Sequence, residues 1–190
     1  MTKNNYICMV VDGSYPKDIR VRKEAEILAE NGIKVLVVCP KYDSEKKTEE
    51  INGVLVYRIG NNYTTFKKGI NDIIESVFDI NPFFYVGLIK VFKKYPVWLL
   101  HVHDLPLAST CYRFKSKTKK LILDLHENFP EALKTWFLWK KSFILRLKNK
   151  LFMNPTHWSK KEEKYCKKYD VVICVVDEMK EKLQSKFQID

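Results

Sequence analysis

A chain of 190 residues, 46% hydrophobic and 30% charged, is long enough to bury one sizeable core and too apolar to remain disordered. Its net charge of +11 suits acidic partners (nucleic acid, an anionic leaflet or a phosphorylated substrate) without choosing among them. Five cysteines, at 8, 39, 111, 166 and 174, form no C-x-x-C pair, so reduced cysteine in a cytosolic protein is expected rather than a disulfide frame or a cysteine metal site.

The elements follow in order. Tyr6–Val11 is a nearly continuous apolar run ending at Asp12-Gly13-Ser14, a pattern that predicts a buried strand and a turn. In the next segment Val21, Ala25, Leu28 and Ala29 share one helical face, with Asn31-Gly32 as the stop, and Ile33–Cys39 is a second apolar strand. Strand, helix and strand with short turns make a βαβ unit and a parallel, doubly wound sheet. The charged run Asp43–Glu50 reads as a solvated loop, and Gly53–Ile59 as a third strand. Phe66–Lys94 is helical and aromatic, divided by Pro82. Its second half, apolar on most of its circumference, is either buried on two sides or faces a partner. Val97–Val102 and Leu121–Leu125 are the fourth and fifth strands, with a helix over Leu105–Phe114 between them. A long helical stretch begins near Phe129 and breaks at Pro155. The helix over 156–168 reads as surface, His157 and Trp158 included. Val171–Val176 is a sixth strand and Glu178–Phe187 the last helix. The expectation is one α/β domain over 1–190, Rossmann-like, with helices on both faces of a parallel sheet. No run approaches the roughly 18 apolar residues of a membrane span, and the N-terminus lacks a secretory h-region.

Two strand ends carry the chemistry: H-V-H-D-L-P at 101–106 and D-L-H-E-N-F-P at 124–130. Each is an apolar run broken by histidine and carboxylate, as expected where a buried parallel strand delivers its carboxyl end to a cleft. Neither G-x-G-x-x-G after the first strand nor G-x-x-x-x-G-K-[ST] is present, and G-x-S-x-G and H-E-x-x-H are missing too. The common dinucleotide, P-loop, hydrolase and zinc-protease readings thereby lose their basis.

Four segments, Y-P-K-D-I-R-V-R-K-E-A-E-I-L-A-E-N-G, H-V-H-D-L-P, D-L-H-E-N-F-P-E-A-L and E-K-Y-C-K-K-Y-D-V-V-I-C-V, resemble in order and spacing the N-terminal domain of GT-B glycosyltransferases of the family-4 type. The resemblance implies half of a two-domain retaining enzyme. This half would contact mainly a glycan or lipid-linked acceptor. A C-terminal domain, absent from these 190 residues and supplied in sequence or as a separate subunit, would hold the nucleotide-sugar donor. This domain alone would bind no cofactor, and the resemblance implies no metal. His126 matches the position that contacts the donor sugar near the reacting carbon, and Asp104 one that lines the same pocket; these are the catalytic candidates. Asp12, Gly13 and Ser14 match the first-strand loop, where many relatives have paired glycines and this chain has one. Arg20, His103, Glu127 and Asn128 complete the substrate-binding set.

Each assignment has a plainer competitor. His103 and Asp104 fit equally as caps of the helix after them, and Glu127 as a cap of the helix after Asn128. Arg20 and Arg22 fit an acceptor phosphate or ordinary solvated helix charge. Trp136, Phe137, Trp139, Lys140 and Lys141 open a basic, aromatic helix suited either to an anionic bilayer surface or to packing within the protein. For the whole chain the alternative to an enzyme half is a stand-alone module binding a glycan, a membrane or a partner. Nucleic acid is the least favoured partner, because the lysines are scattered rather than gathered with exposed aromatics. The expected location is cytoplasmic, with a peripheral place on the inner membrane face if the aromatic helix binds lipid.

Overall fold

The computed structural model describes residues 5–42, 44–138 and 154–188, the side chains of 136–138 excepted. Seven strands form a single sheet: β1 (Tyr6–Val10), β2 (Val35–Pro40), β3 (Thr48–Ile51), β4 (Val54–Ile59), β5 (Val97–His103), β6 (Lys120–Leu125) and β7 (Val171–Cys174). Their spatial order is β3-β4-β2-β1-β5-β6-β7, parallel throughout except where β3 meets β4. The described helices are α1 (Ile19–Glu30), α2 (Thr65–Phe78), α3 (Pro82–Lys94), α4 (Ala108–Tyr112), α5 (Phe129–Leu138), α6 (Pro155–Cys166) and α7 (Asp177–Phe187).

Two cores flank the sheet because successive strand residues point to opposite faces. On one face Cys8, Val10, Leu36, Val38, Leu100, Val102, Leu121, Leu123 and Leu125 pack with Phe84, Leu88 and Val91 of α3, Trp158 of α6 and Leu183 of α7. On the other face Ile7, Met9, Val35, Val37, Val54, Val56 and Leu99 pack against Val21 and Ala25 of α1. The expected α1 face is thus the buried one, and α1 starts where Asp18 Oδ1 accepts the amides of Arg20 and Val21 at 3.1 and 3.4 Å. The apolar second half of the aromatic stretch, α3, is buried on this chain's own sheet. Gly87 lets it approach closely: a Cβ there would stand 2.6 Å from Ile59 Cγ2.

Three expectations need correction. The run 43–50 is not wholly a loop, since Thr48–Ile51 pairs with β4 as an antiparallel edge strand; its charges suit an edge that water reaches. Strand β7 ends at Cys174, so Val175 and Val176 lie beyond it. The helix over 156–168 is not surface as a whole. Trp158 is 1% exposed, and Lys161 and Glu162 are buried beside it, while His157 is exposed. These polar groups are buried with partners. Lys161 Nζ donates to the Glu75 carbonyl at 2.7 Å and meets Asp79 Oδ1 at 3.0 Å, and Lys182 Nζ meets Glu162 Oε2 at 2.7 Å. Among the described residues all five cysteines are free, four of them buried.

Candidate functional site

The chain runs outward from β1 in both directions, through β2 and β4 on one side and β5, β6 and β7 on the other. The switch point therefore lies between β1 and β5, where ligands bind beyond the strands' carboxyl ends in open α/β sheets. Val10 pairs with Val102 and His103 with Asp124, so Asp12, Asp104 and His126 leave the sheet on one rim.

The side chains assemble by alternation. Leu100 and Val102 enter one core, which turns His101 and His103 to the α1 face. Leu123 and Leu125 do the same for Asp124 and His126. Asp124 becomes the hub: its Oδ2 lies 3.3 Å from His103 Nδ1, 3.2 Å from His126 Nε2 and 3.7 Å from His101 Nε2. His103 Nδ1 and His126 Nε2 are 2.9 Å apart, with their rings nearly parallel at 3°. From α1, Glu24 Oε1 reaches His101 Nδ1 at 3.3 Å.

Proton placement follows from this triangle. Two N–H groups cannot face each other at 2.9 Å, so one of the two ring nitrogens carries the proton and the other accepts. His126 in its neutral form thus presents Nδ1 as a donor in one arrangement and an acceptor in the other. Burial pushes His103 down to about 4, against the pull of Asp124. Burial also lowers His126, Asp124 opposing and Arg20 reinforcing. For Asp124 burial acts upward, but the neighbouring imidazoles of His101, His103 and His126 outweigh it and hold the carboxyl well below the usual range. An ionised Asp124 beside neutral His103 and His126 is the state at neutral pH.

Asp104 differs from its expected alternative. It makes no capping hydrogen bond to the turn Leu105–Leu107, and its backbone sits at φ 70°, a region costly for a residue with a side chain. Burial pushes its carboxyl up to about 6, opposed by Arg20 and by the backbone N–H of His126 and reinforced by Asp18 and Asp124. Glu127 is raised by burial and by Asp104, with Arg20 and His126 opposing. Arg20 itself is paired with Asp18 at 3.1 Å and stays half exposed.

His103, Asp104, His126, Glu127 and Arg20 are therefore brought together. Others are engaged elsewhere. Asp12 pairs with Lys68, and Ser14 Oγ donates to Glu45 Oε1 at 3.2 Å. A Cβ on Gly13 would find only ordinary contacts. The Asn128 side chain accepts from Lys182 at 3.0 Å, away from the histidines. Glu127 makes no side-chain cap of α5 among the bonds described; the Asn128 carbonyl receives the amides of Glu131 and Ala132. Trp136 and Phe137 lie on the backbone of α5, while their side chains, together with Trp139, Lys140 and Lys141, lie outside the described residues. Sequence reasoning missed Asp124, His101 and Glu24. The H-x-H and D-x-H spacings on adjacent strands were signal enough for the first two. The sequence reading found no ligand cluster, yet Glu24, His101, His103 and Asp124 each offer a ligand atom within 4.8 Å of the others.

A groove of about 1070 Å³ lies along β7 and α7, lined by Val171, Val175, Asp177 and Leu183 among others. It shares no residue with the histidine cluster.

Residues 19–190 match the sequence profile of Glycosyltransferase Family 4. The chain belongs to that family. It therefore supplies a glycosyltransferase-type domain, and its sheet is the Rossmann-like half of a GT-B fold, as the resemblance implied. A solved structure of sucrose-phosphate synthase from Thermosynechococcus elongatus is similar in fold, with TM-score 0.67 at 15% identity, over 95% of this chain and 44% of that one. A second structure of that synthase gives TM-score 0.62 at 15% identity, over 95% and 82%. This family-4 chain thus spans less than half the length of the first synthase chain. No curated protein matches it. Among the described residues no helix is long and apolar enough to cross a membrane.

Proposed function

We propose that this domain is the acceptor-side half of a retaining glycosyltransferase that moves a sugar from a nucleotide-sugar donor to a glycan or lipid-linked acceptor, and that it has no turnover alone. What carries the reading is His126 at the switch-point rim, its Nε2 fixed by Asp124 and His103 so that Nδ1 is left for a substrate hydroxyl. A sugar presents hydroxyls that donate and accept, and a neutral imidazole able to exchange those roles suits either. Asp104, ionised above about pH 6, supplies negative charge on the same rim, where a developing oxocarbenium ion gains from it. The departing nucleotide needs its phosphates stabilised from the opposite side of the cleft, by a C-terminal domain in the same chain or in a separate subunit. A lipid-linked acceptor fits the basic, aromatic sequence that begins at Trp136, and such an enzyme would work at the inner face of the membrane.

The test joins this domain to a family-4 nucleotide-sugar domain, in the longer chain or by co-expression, and assays a panel of nucleotide-sugars. Turnover is expected only with both halves, falling by roughly 10² to 10⁴ in His126→Ala. Transfer by residues 1–190 alone would refute the division of labour. An unchanged rate in His126→Ala would refute the site, and the absence of transfer from the joined halves would favour the stand-alone binding module.

A further inference from the structure

We propose that Glu24, His101, His103 and Asp124 form a binding site for a divalent transition-metal ion of the zinc class. Two imidazoles with two carboxylates are the donors that zinc takes, with cobalt and nickel as analogues, whereas magnesium and calcium prefer oxygen alone. A tetrahedral ion with ligands at about 2.0–2.1 Å places its ligand atoms roughly 3.3 Å apart. His103 Nδ1 lies 3.3 Å from Asp124 Oδ2; His101 gives an ion one nitrogen only, and either choice keeps one neighbour near that spacing, Nδ1 with Glu24 Oε1 at 3.3 Å or Nε2 with Asp124 Oδ2 at 3.7 Å. All four groups fall within the 4.8 Å envelope, so small side-chain rotations complete the set.

A second observation points to a ligand. His101 is 3% exposed, yet its Nε2, facing Asp124 Oδ2 at 3.7 Å, is sealed from water without a hydrogen-bond partner. Sealed imidazole nitrogens without partners are uncommon in a settled core and natural in a site that takes an ion. The scaffold is stiff where it must be: His101, His103 and Asp124 stand on adjacent strands in fixed register. Glu24, on α1 and partly exposed, lies on the side from which an ion enters. His126 lies against the same Asp124 oxygen, at 3.2 Å. Bound there, the ion ties α1 to the sheet and competes with His126 for Asp124. The site stands on this geometry whether or not the domain transfers sugar.

The test uses the whole chain, stripped with a chelator and titrated with Co²⁺ while its visible spectrum is followed, then with Zn²⁺ in competition. The chain has four histidines, and the exposed His157 is the control. Expected are one equivalent of Co²⁺ with the strong bands of a four-coordinate nitrogen and oxygen site, displaced by Zn²⁺. Affinity should fall by at least roughly 100-fold in His101→Gln and Glu24→Gln and stay unchanged in His157→Ala. Glu24→Gln alters a partly exposed helix face, so its fold is retained, and circular dichroism checks that. Absence of stoichiometric binding, a thiolate-to-cobalt charge-transfer band, loss of binding in His157→Ala, or unchanged affinity in a folded Glu24→Gln would each overturn the proposal.

Discussion

Replacing Glu75 by Gln should remove a pH dependence from the stability of this domain. Glu75 sits on α2, 2% exposed, where Ser109 Oγ donates to one carboxylate oxygen and Thr110 Oγ1 reaches the other at 3.1 Å. Lys161 Nζ is 3.8 Å away. Burial pushes the carboxyl up from 4.5 to about 7; the hydroxyl donors and Lys161 oppose this without cancelling it. The sign follows from proton counts. Between pH 4.5 and 7 the unfolded chain has released this proton while the folded one retains it. Stability therefore falls as pH rises through that window and is level on either side. At about 1.36 kcal/mol for each pH unit between the two pKa values, the loss is about 3 kcal/mol. Gln keeps the shape and an acceptor for Thr110 and carries no charge. The assay is urea unfolding of both proteins from pH 4 to 8. The advantage of Glu75→Gln should grow by about 3 kcal/mol across the window, and other titrating groups largely cancel in the difference. A flat difference, or a wild type that gains on the variant as pH rises, would mean that Lys161 holds Glu75 ionised and would refute the reasoning.

Two further outcomes follow from single residues. Arg58, 2% exposed, bridges the carbonyls of Tyr15 and Lys46 at 3.0 and 2.9 Å and the carboxylates of Glu45 and Glu49. Arg58→Ala should cost about 3 kcal/mol in chemical denaturation, near the low end for breaking a buried pair because both glutamates still reach water; a cost under about 1 kcal/mol would contradict the clamp. Asp104→Gly should stabilise the fold by about 1 kcal/mol, strain relief at φ 70° exceeding the entropy cost of glycine, while lowering transfer in the joined enzyme. A destabilised Asp104→Gly would show that the carboxyl contributes more than its backbone costs.

Much of the fold was legible because buried parallel strands are apolar on both faces, which makes Tyr6–Val11, Ile33–Cys39 and Leu121–Leu125 conspicuous. Pro82 and Asn31-Gly32 marked helix ends through their backbone chemistry. What escaped had the composition of surface. Thr48–Ile51 carries two glutamates because it is an edge, and a charged edge strand reads like a loop. Lys161 and Glu162 look solvated in a K-K-E-E run, but their partners Glu75 and Lys182 are distant in sequence, and no local pattern announces them. The site was half visible. His126, His103 and Asp104 stood out as interruptions of apolar runs. Asp124 was passed over because it lies two residues deeper, inside the strand, although that spacing puts it on one face with His126. Glu24 had no local signal at all, since only the packing of α1 against the sheet brings it to His101.

The two margins of the sheet are unlike. Strand β3 runs against its neighbour, is four residues long and carries charge, features that discourage another backbone from joining it. At the opposite margin β7 is parallel to its neighbour, with Val171 and Ile173 exposed. Among the described residues, growth of this sheet is therefore directional. An added strand, from this chain or another, has a receptive margin at β7 and a repelling one at β3. Since β7 lies on the β6 side of the switch point, such an addition would extend the half of the sheet that carries His126 and leave the β2–β4 half unchanged.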